Sequence, residues 1–126
     1  MKGELPCTKV YEDDHVFAFL DIAPIAPGHT LVVPKNHSKD IYDIPAEDLH
    51  HVSEGIQKVS RAVKAALGCD GINVGMNNEA AAGQAVWHAH WHVVPRYSDD
   101  GLSHWPRGKY EEGKDKETAE KIQVQF

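Results

Sequence analysis

Apolar and polar positions alternate early in the chain and then change period. Val10–Tyr11 and the run from His15 to Leu20 flank the acidic Glu12–Asp13–Asp14. Two β-prone runs around a short polar break predict two strands joined by a turn. Asp21 to Gly28 holds Pro24, Pro27 and Gly28, which predicts a loop. His29 to Val33, closed by Pro34, predicts a third strand. From Pro45 to Leu67 the spacing lengthens. Leu49, Val52, Ile56, Val59, Val63 and Ala66 recur in steps of three and four, the apolar stripe of one helix. Pro45 suits its first position, Glu47 and Asp48 its first turn, and Gly68 its end. Gly71 to Met76 predicts a fourth strand, and Val86 to Val94, stopped by Pro95, a fifth. Asn77 to Gln84 is a small polar loop. The tail from Tyr97 is polar, with a short helix predicted near Thr118 to Ile122. One long helix between the third and fourth strands predicts an α+β fold around a mainly antiparallel five-stranded sheet.

Composition narrows the picture. The 126 residues make one domain, since domains peak at roughly 100–150 residues. A formal net charge of −6 disfavours long stretches of nucleic-acid backbone, which call for clustered Lys and Arg. It leaves a small phosphate ligand open, because local donors decide that. No apolar run approaches the ~20 residues that span a bilayer, and no signal-peptide pattern opens the chain. Cys7 and Cys69 are too few for a disulfide framework and fit a reducing compartment. The expectation is a cytoplasmic protein with no nucleic-acid or membrane partner.

The unusual feature is nine histidines, three of them at His88, His90 and His92. In an extended strand these three share one face, with Trp87, Ala89 and Trp91 opposite. Such a row of imidazoles can bind a metal ion. Alternatively one ring is a nucleophile towards phosphorus while the others orient it. Spacing alone leaves both readings open, with a purely structural role as a third. Asn77, Asn78 and Gln84 stand close in sequence and carry amides that can hold phosphate oxygens. Asp21 ends an apolar strand at a Pro-rich loop, where a carboxylate can accept two hydroxyls or merely cap a turn.

His88–Ala89–His90–Trp91–His92–Val93–Val94 resembles the His-x-His-x-His motif, followed by two apolar residues, of the histidine-triad (HIT) family. Gly83–Gln84 before it and Pro95–Arg96 after it fit the same pattern. So do Asp21–Ile22–Ala23–Pro24 and Pro27 to Lys35. The resemblance covers about residues 4–96, leaving 97–126 as a C-terminal tail, within which His104–Trp105–Pro106 also resembles the Hint branch. It implies a HIT-like fold, paired through the long helix and the last strand into a two-fold homodimer with a continuous sheet. It implies that His90 attacks the α-phosphorus of a nucleoside phosphoramidate, dinucleoside polyphosphate or similar compound, giving a nucleotidyl-histidine that water cleaves. His92 would contact phosphate, and His88 and His29 would complete the imidazole network. Gln84 and Asn77 would hold phosphate oxygens. Asp21 would accept ribose hydroxyls, and Phe19 and Ile22 would line the pocket for a purine base of the AMP or GMP type.

The family performs this step without a metal or other cofactor. The chain also lacks the Cys-x-x-Cys with which many relatives bind structural zinc, so no metal is expected at His37 and His88. Ala85 departs from the pattern, standing where relatives carry Ser or Thr; without that hydroxyl, the proton for the leaving group must come from elsewhere. A nucleotide-binding signalling module with little turnover and a histidine-cluster metal protein are the alternatives.

Overall fold

A computed structural model describes residues 7–126. Residues 4–6, expected within the core, lie outside that range. The elements run β1 (Lys9–Glu12), β2 (Val16–Leu20), β3 (Thr30–Pro34), α1 (Ala46–Leu67), β4 (Gly71–Gly75), β5 (Trp91–Arg96) and α2 (Lys114–Gln123). The sheet order is β1-β2-β3-β5-β4, and all four neighbouring pairs are antiparallel. The expected α+β architecture is therefore present. β3 and β4 run in the same direction with β5 between them. Joining two such strands takes a long crossover, and α1 supplies it.

Registration divides the sheet into two faces. Ala18 pairs with Val32, and Val32 with Trp91. With Val16 and Val93 these side chains meet Val52, Val59 and Val63 of α1 in one buried cluster. α1 begins after Pro45, which precedes the helix rather than occupying its first turn. It ends at Gly68 in the left-handed conformation, φ 63°. Gly55, buried in mid-helix, lets α1 approach β2. A Cβ there would lie 3.0 Å from Val16 Cγ1. The other face carries Phe17, Phe19, Leu31, His92 and Val94, since side chains alternate along each strand.

Three expectations change. The fifth strand spans Trp91–Arg96, not Val86–Val94, and residues 86–88 form a bend. The segment's polar groups are taken by the loop after β3 and by Gln84 instead of a ladder. Ala89 donates its N–H to Ser38 O at 2.6 Å, and the Val86 carbonyl accepts from Gln84 Nε2 at 3.0 Å. Pro95 does not stop the strand. Beyond Val93, β5 has a neighbour only on the β4 side, so a residue without an N–H is tolerated. The tail helix starts at Lys114, earlier than expected, and is a second helix in addition to α1. Among the described residues no helix is long and apolar enough to cross a membrane.

Candidate active site

Strand parity assembles the site on the sheet face opposite α1. Asp21 directly follows β2, His29 directly precedes β3, and His92 is the second residue of β5. All three share the odd-numbered face of β2 and β3, where Leu31 pairs with His92. Their ligand atoms lie within 4.8 Å of one another. His29 is 2% exposed. Its Nδ1 accepts the Ile25 N–H at 3.1 Å. A neutral imidazole then carries its proton on Nε2, where it donates to His92 Nδ1 at 2.9 Å. The same logic puts the His92 proton on Nε2. Asp21 Oδ2 lies 3.6 Å from His29 Nε2. Burial is the main cause that lowers the His29 pKa, with Asp21 pulling the other way. Burial also lowers that of His92, helped by the neighbouring His90 and His29 rings. Both rings are thereby held neutral.

His90 stands one residue before β5. Its Nδ1 donates to the His88 carbonyl at 2.8 Å, which leaves the lone pair on Nε2. Its ring lies 5.2 Å from that of His92, centroid to centroid, at 65°.

The expected row of three rings on one side is not formed. The bend at 86–88 turns His88 towards the end of β3, where its Nε2 donates to Pro34 O at 3.1 Å. Its Nδ1 meets His37 Nδ1 at 2.9 Å. His88 touches His90 through its main-chain carbonyl, not its ring. A metal site made of His88, His90 and His92 is not assembled. Among the described residues, the group whose ligand atoms converge is Asp21, His29 and His92. Among the described residues no third ligand converges on His37 and His88, and Cys7 is exposed.

Gln84 is also corrected. It is 3% exposed, and its amide is fully engaged. Nε2 donates to Lys39 O at 2.7 Å and Val86 O at 3.0 Å, and Oε1 accepts the Glu79 N–H at 2.8 Å. It therefore pins the 79–86 loop to the loop after β3 and has no donor left for phosphate. Asn78 has a similar task, its Oδ1 accepting the Ile41 N–H at 2.7 Å. Asn77 instead lines a cleft of about 660 Å³ beside His92. Asp21 Oδ1 accepts the Ala23 N–H at 2.9 Å, so this carboxylate caps its turn and faces His29 as well. Phe19 is buried on the site's face, 5.6 Å from the Phe17 ring. Ile22 is 91% exposed.

Sequence reasoning missed two contributors. Ser38 and Pro34 act through main-chain carbonyls, which no side-chain motif reveals. The far wall of the cleft comes from Leu102, Ser103, His104 and Trp105, where the His–Trp–Pro resemblance was the available signal.

A paired-histidine face of this kind on an α+β sheet defines a class seen in known proteins. The HIT domain model matches residues 2–99, and the chain belongs to the HIT family. It is 48% identical over 101 residues to an uncharacterized HIT-like protein of Methanocaldococcus jannaschii, covering 80% of this chain and 78% of that one. It is 38% identical over 102 residues to adenylylsulfatase HINT3 of Arabidopsis thaliana, covering 81% of this chain and 52% of the plant protein. The structure of a histidine triad nucleotide-binding protein from Candida albicans superposes with a TM-score of 0.84 at 32% identity. That match covers 98% of this chain and 91% of the other.

Proposed function

We propose that this protein is a nucleotide hydrolase or nucleotidyl transferase that works through a nucleotidyl-histidine on His90. The observation that carries the reading is the bond from His90 Nδ1 to the His88 carbonyl, 2.8 Å. It assigns the proton to Nδ1 and the nucleophilic lone pair to Nε2. The relay from His29 to His92 supports it, because it leaves the His92 Nε2–H to meet a phosphate oxygen. The name of the Candida relative supports a nucleotide as ligand, and that of the plant relative supports a nucleotide as substrate.

In the first step His90 Nε2 attacks the α-phosphorus. The N–P bond forms and the bond to the leaving group breaks, the electron pair departing with that group. The ring becomes cationic, and the His88 carbonyl stabilises its Nδ1–H. The leaving group needs a proton. Ala85 has no hydroxyl to give one, and the neutral His92 keeps its single N–H on the phosphate oxygen, so water supplies it and is left as hydroxide. Nucleoside phosphoramidates fit best, because their amine is readily protonated. That hydroxide then attacks the phosphorus, the P–N bond breaks with its electron pair returning to His90 Nε2, and a nucleoside monophosphate of the AMP or GMP type is released. Asn77 holds a phosphate oxygen. Asp21 accepts the ribose hydroxyls, and Ile22, exposed, with Phe19, buried on the site's face, lines the base pocket.

The test is to mix the protein with a nucleoside phosphoramidate, quench, and map the adduct by mass spectrometry. The expected mass gain is one nucleotidyl group on the peptide containing His90. His90→Asn should lose about 10³-fold or more in kcat while still binding the nucleoside monophosphate. Wild-type turnover in that variant would end the reading.

A further inference from the structure

The cleft beside His92 runs on across β4, and its outer wall belongs to neither a strand nor a helix. Leu102 to Trp105 is an irregular segment, yet it stands beside Val74 and Met76 of the β4 side. Arg96, at the end of β5, ties it down. Arg96 Nε donates to Asp100 Oδ2 at 2.8 Å and Nη2 to Asp100 Oδ1 at 3.1 Å, the two-pronged geometry that suits a guanidinium and a carboxylate. Nη2 also donates to Leu102 O at 3.1 Å, and Nη1 to Asn73 Oδ1 of β4 at 2.6 Å. Asp100 further accepts the main-chain N–H groups of Tyr97, 2.9 Å, and Leu102, 3.0 Å. The two side chains are only 16% and 15% exposed. One guanidinium thus fastens β5, β4 and the turn that launches the wall.

We propose that the Arg96–Asp100 clip sets leaving-group specificity, holding Leu102–Trp105 as the outer wall of a subsite for an apolar or aromatic leaving group. The proposal rests on the reaction proposed above. The order of strands separates the two ends of the substrate. Asp21 lies at β2 and His29 at β3, so the nucleoside occupies that side of His90 and His92. The β4 side is left for the other substituent on phosphorus. Val74, Met76, Leu102 and Trp105 give that side an apolar lining with one large ring, a surface suited to flat or aliphatic groups. Trp105 is 88% exposed, an indole with one face available to stack. Arg96 and its partners hold the Asp100 carboxyl well below the usual range, so the clip stays charged throughout any ordinary assay pH.

Asp100 does not line the cleft at His92, so changing it probes the wall without touching the reacting groups. For Asp100→Asn, kcat/KM for a nucleoside phosphoramidate of an aromatic amine should fall roughly tenfold, mostly through KM. With the unsubstituted phosphoramidate it should stay within about twofold. Amide exchange from Leu102 to Trp105 should quicken. An equal loss on both substrates, or no loss on the aromatic one, overturns the proposal. The same preference is read without turnover by equilibrium binding of both amides to His90→Asn, with and without Asp100→Asn. A wild-type protein that cleaves neither amide therefore refutes the reaction, whereas a binding preference that ignores Asp100 refutes the clip.

Discussion

At the scale of the residue, the site depends on which nitrogen carries the proton. Ile25 N–H decides it for His29, and the His88 carbonyl decides it for His90. Protonating His92 would put two donors face to face across 2.9 Å and break the relay, and protonating His29 would set its Nδ1–H against the Ile25 N–H. Burial lowers both pKa values in the folded protein. Between those lowered values and the ordinary histidine value of about 6.5, the unfolded chain binds more protons than the native one. Stability conferred by these rings is thus present above about pH 6.5 and is lost as pH falls through their native values. The expected outcome is a Tm that drops from pH 7 to pH 5, with His29→Gln flattening that slope. Asp21, His29, His90 and His92 were legible as candidates because their chemistry sits in side chains. The true task of Gln84 was not, because its partners are main-chain groups of Lys39, Val86 and Glu79, brought near only by folding.

At the scale of the element, periodicity located α1 and four strands within a residue or two. It overextended β5, because an apolar, β-branched run says nothing about whether a partner strand is there to receive it. Ser38 and Gln84 take the polar groups of residues 86–89, and the bend that results separates His88 from His90. Gly55 shows the converse. Glycine in mid-helix costs roughly 1 kcal/mol against alanine, and nothing in the sequence explains it. The 3.0 Å approach to Val16 does. Gly55→Val should therefore destabilise by about 1–3 kcal/mol, seen as a lower urea midpoint. An unchanged midpoint would mean that α1 and β2 can separate without loss.

At the scale of the whole molecule, the sheet formed by the described residues has two outer strands, β1 and β4. The expected pairing through the last strand does not fit, since β5 lies inside the sheet, with β3 beside Trp91–Val93 and β4 beside His92–Arg96. A second copy that continues the sheet has to meet one of these outer strands, and β4 directly follows the helix expected in the pairing. That strand is open along its outer side, with Val74 half-exposed, and an outer strand of this kind templates pairing. Sedimentation at micromolar concentration should give a species of twice the chain mass, and Val74→Pro should convert it to a single chain while leaving the fold intact. A wild-type protein that sediments as one chain would rule the pairing out.

The amino-acid sequence alone determined the period of each element, the side of each strand that is apolar, and the residue types able to attack phosphorus. These are local properties, written in neighbouring side chains. Tertiary structure decided the tautomers, the turning of His88 out of the row, the engagement of Gln84 and the clamping of the 102–105 wall. Each of those depends on a main-chain carbonyl, an N–H or a carboxylate whose place beside its partner exists only once the chain has closed on itself.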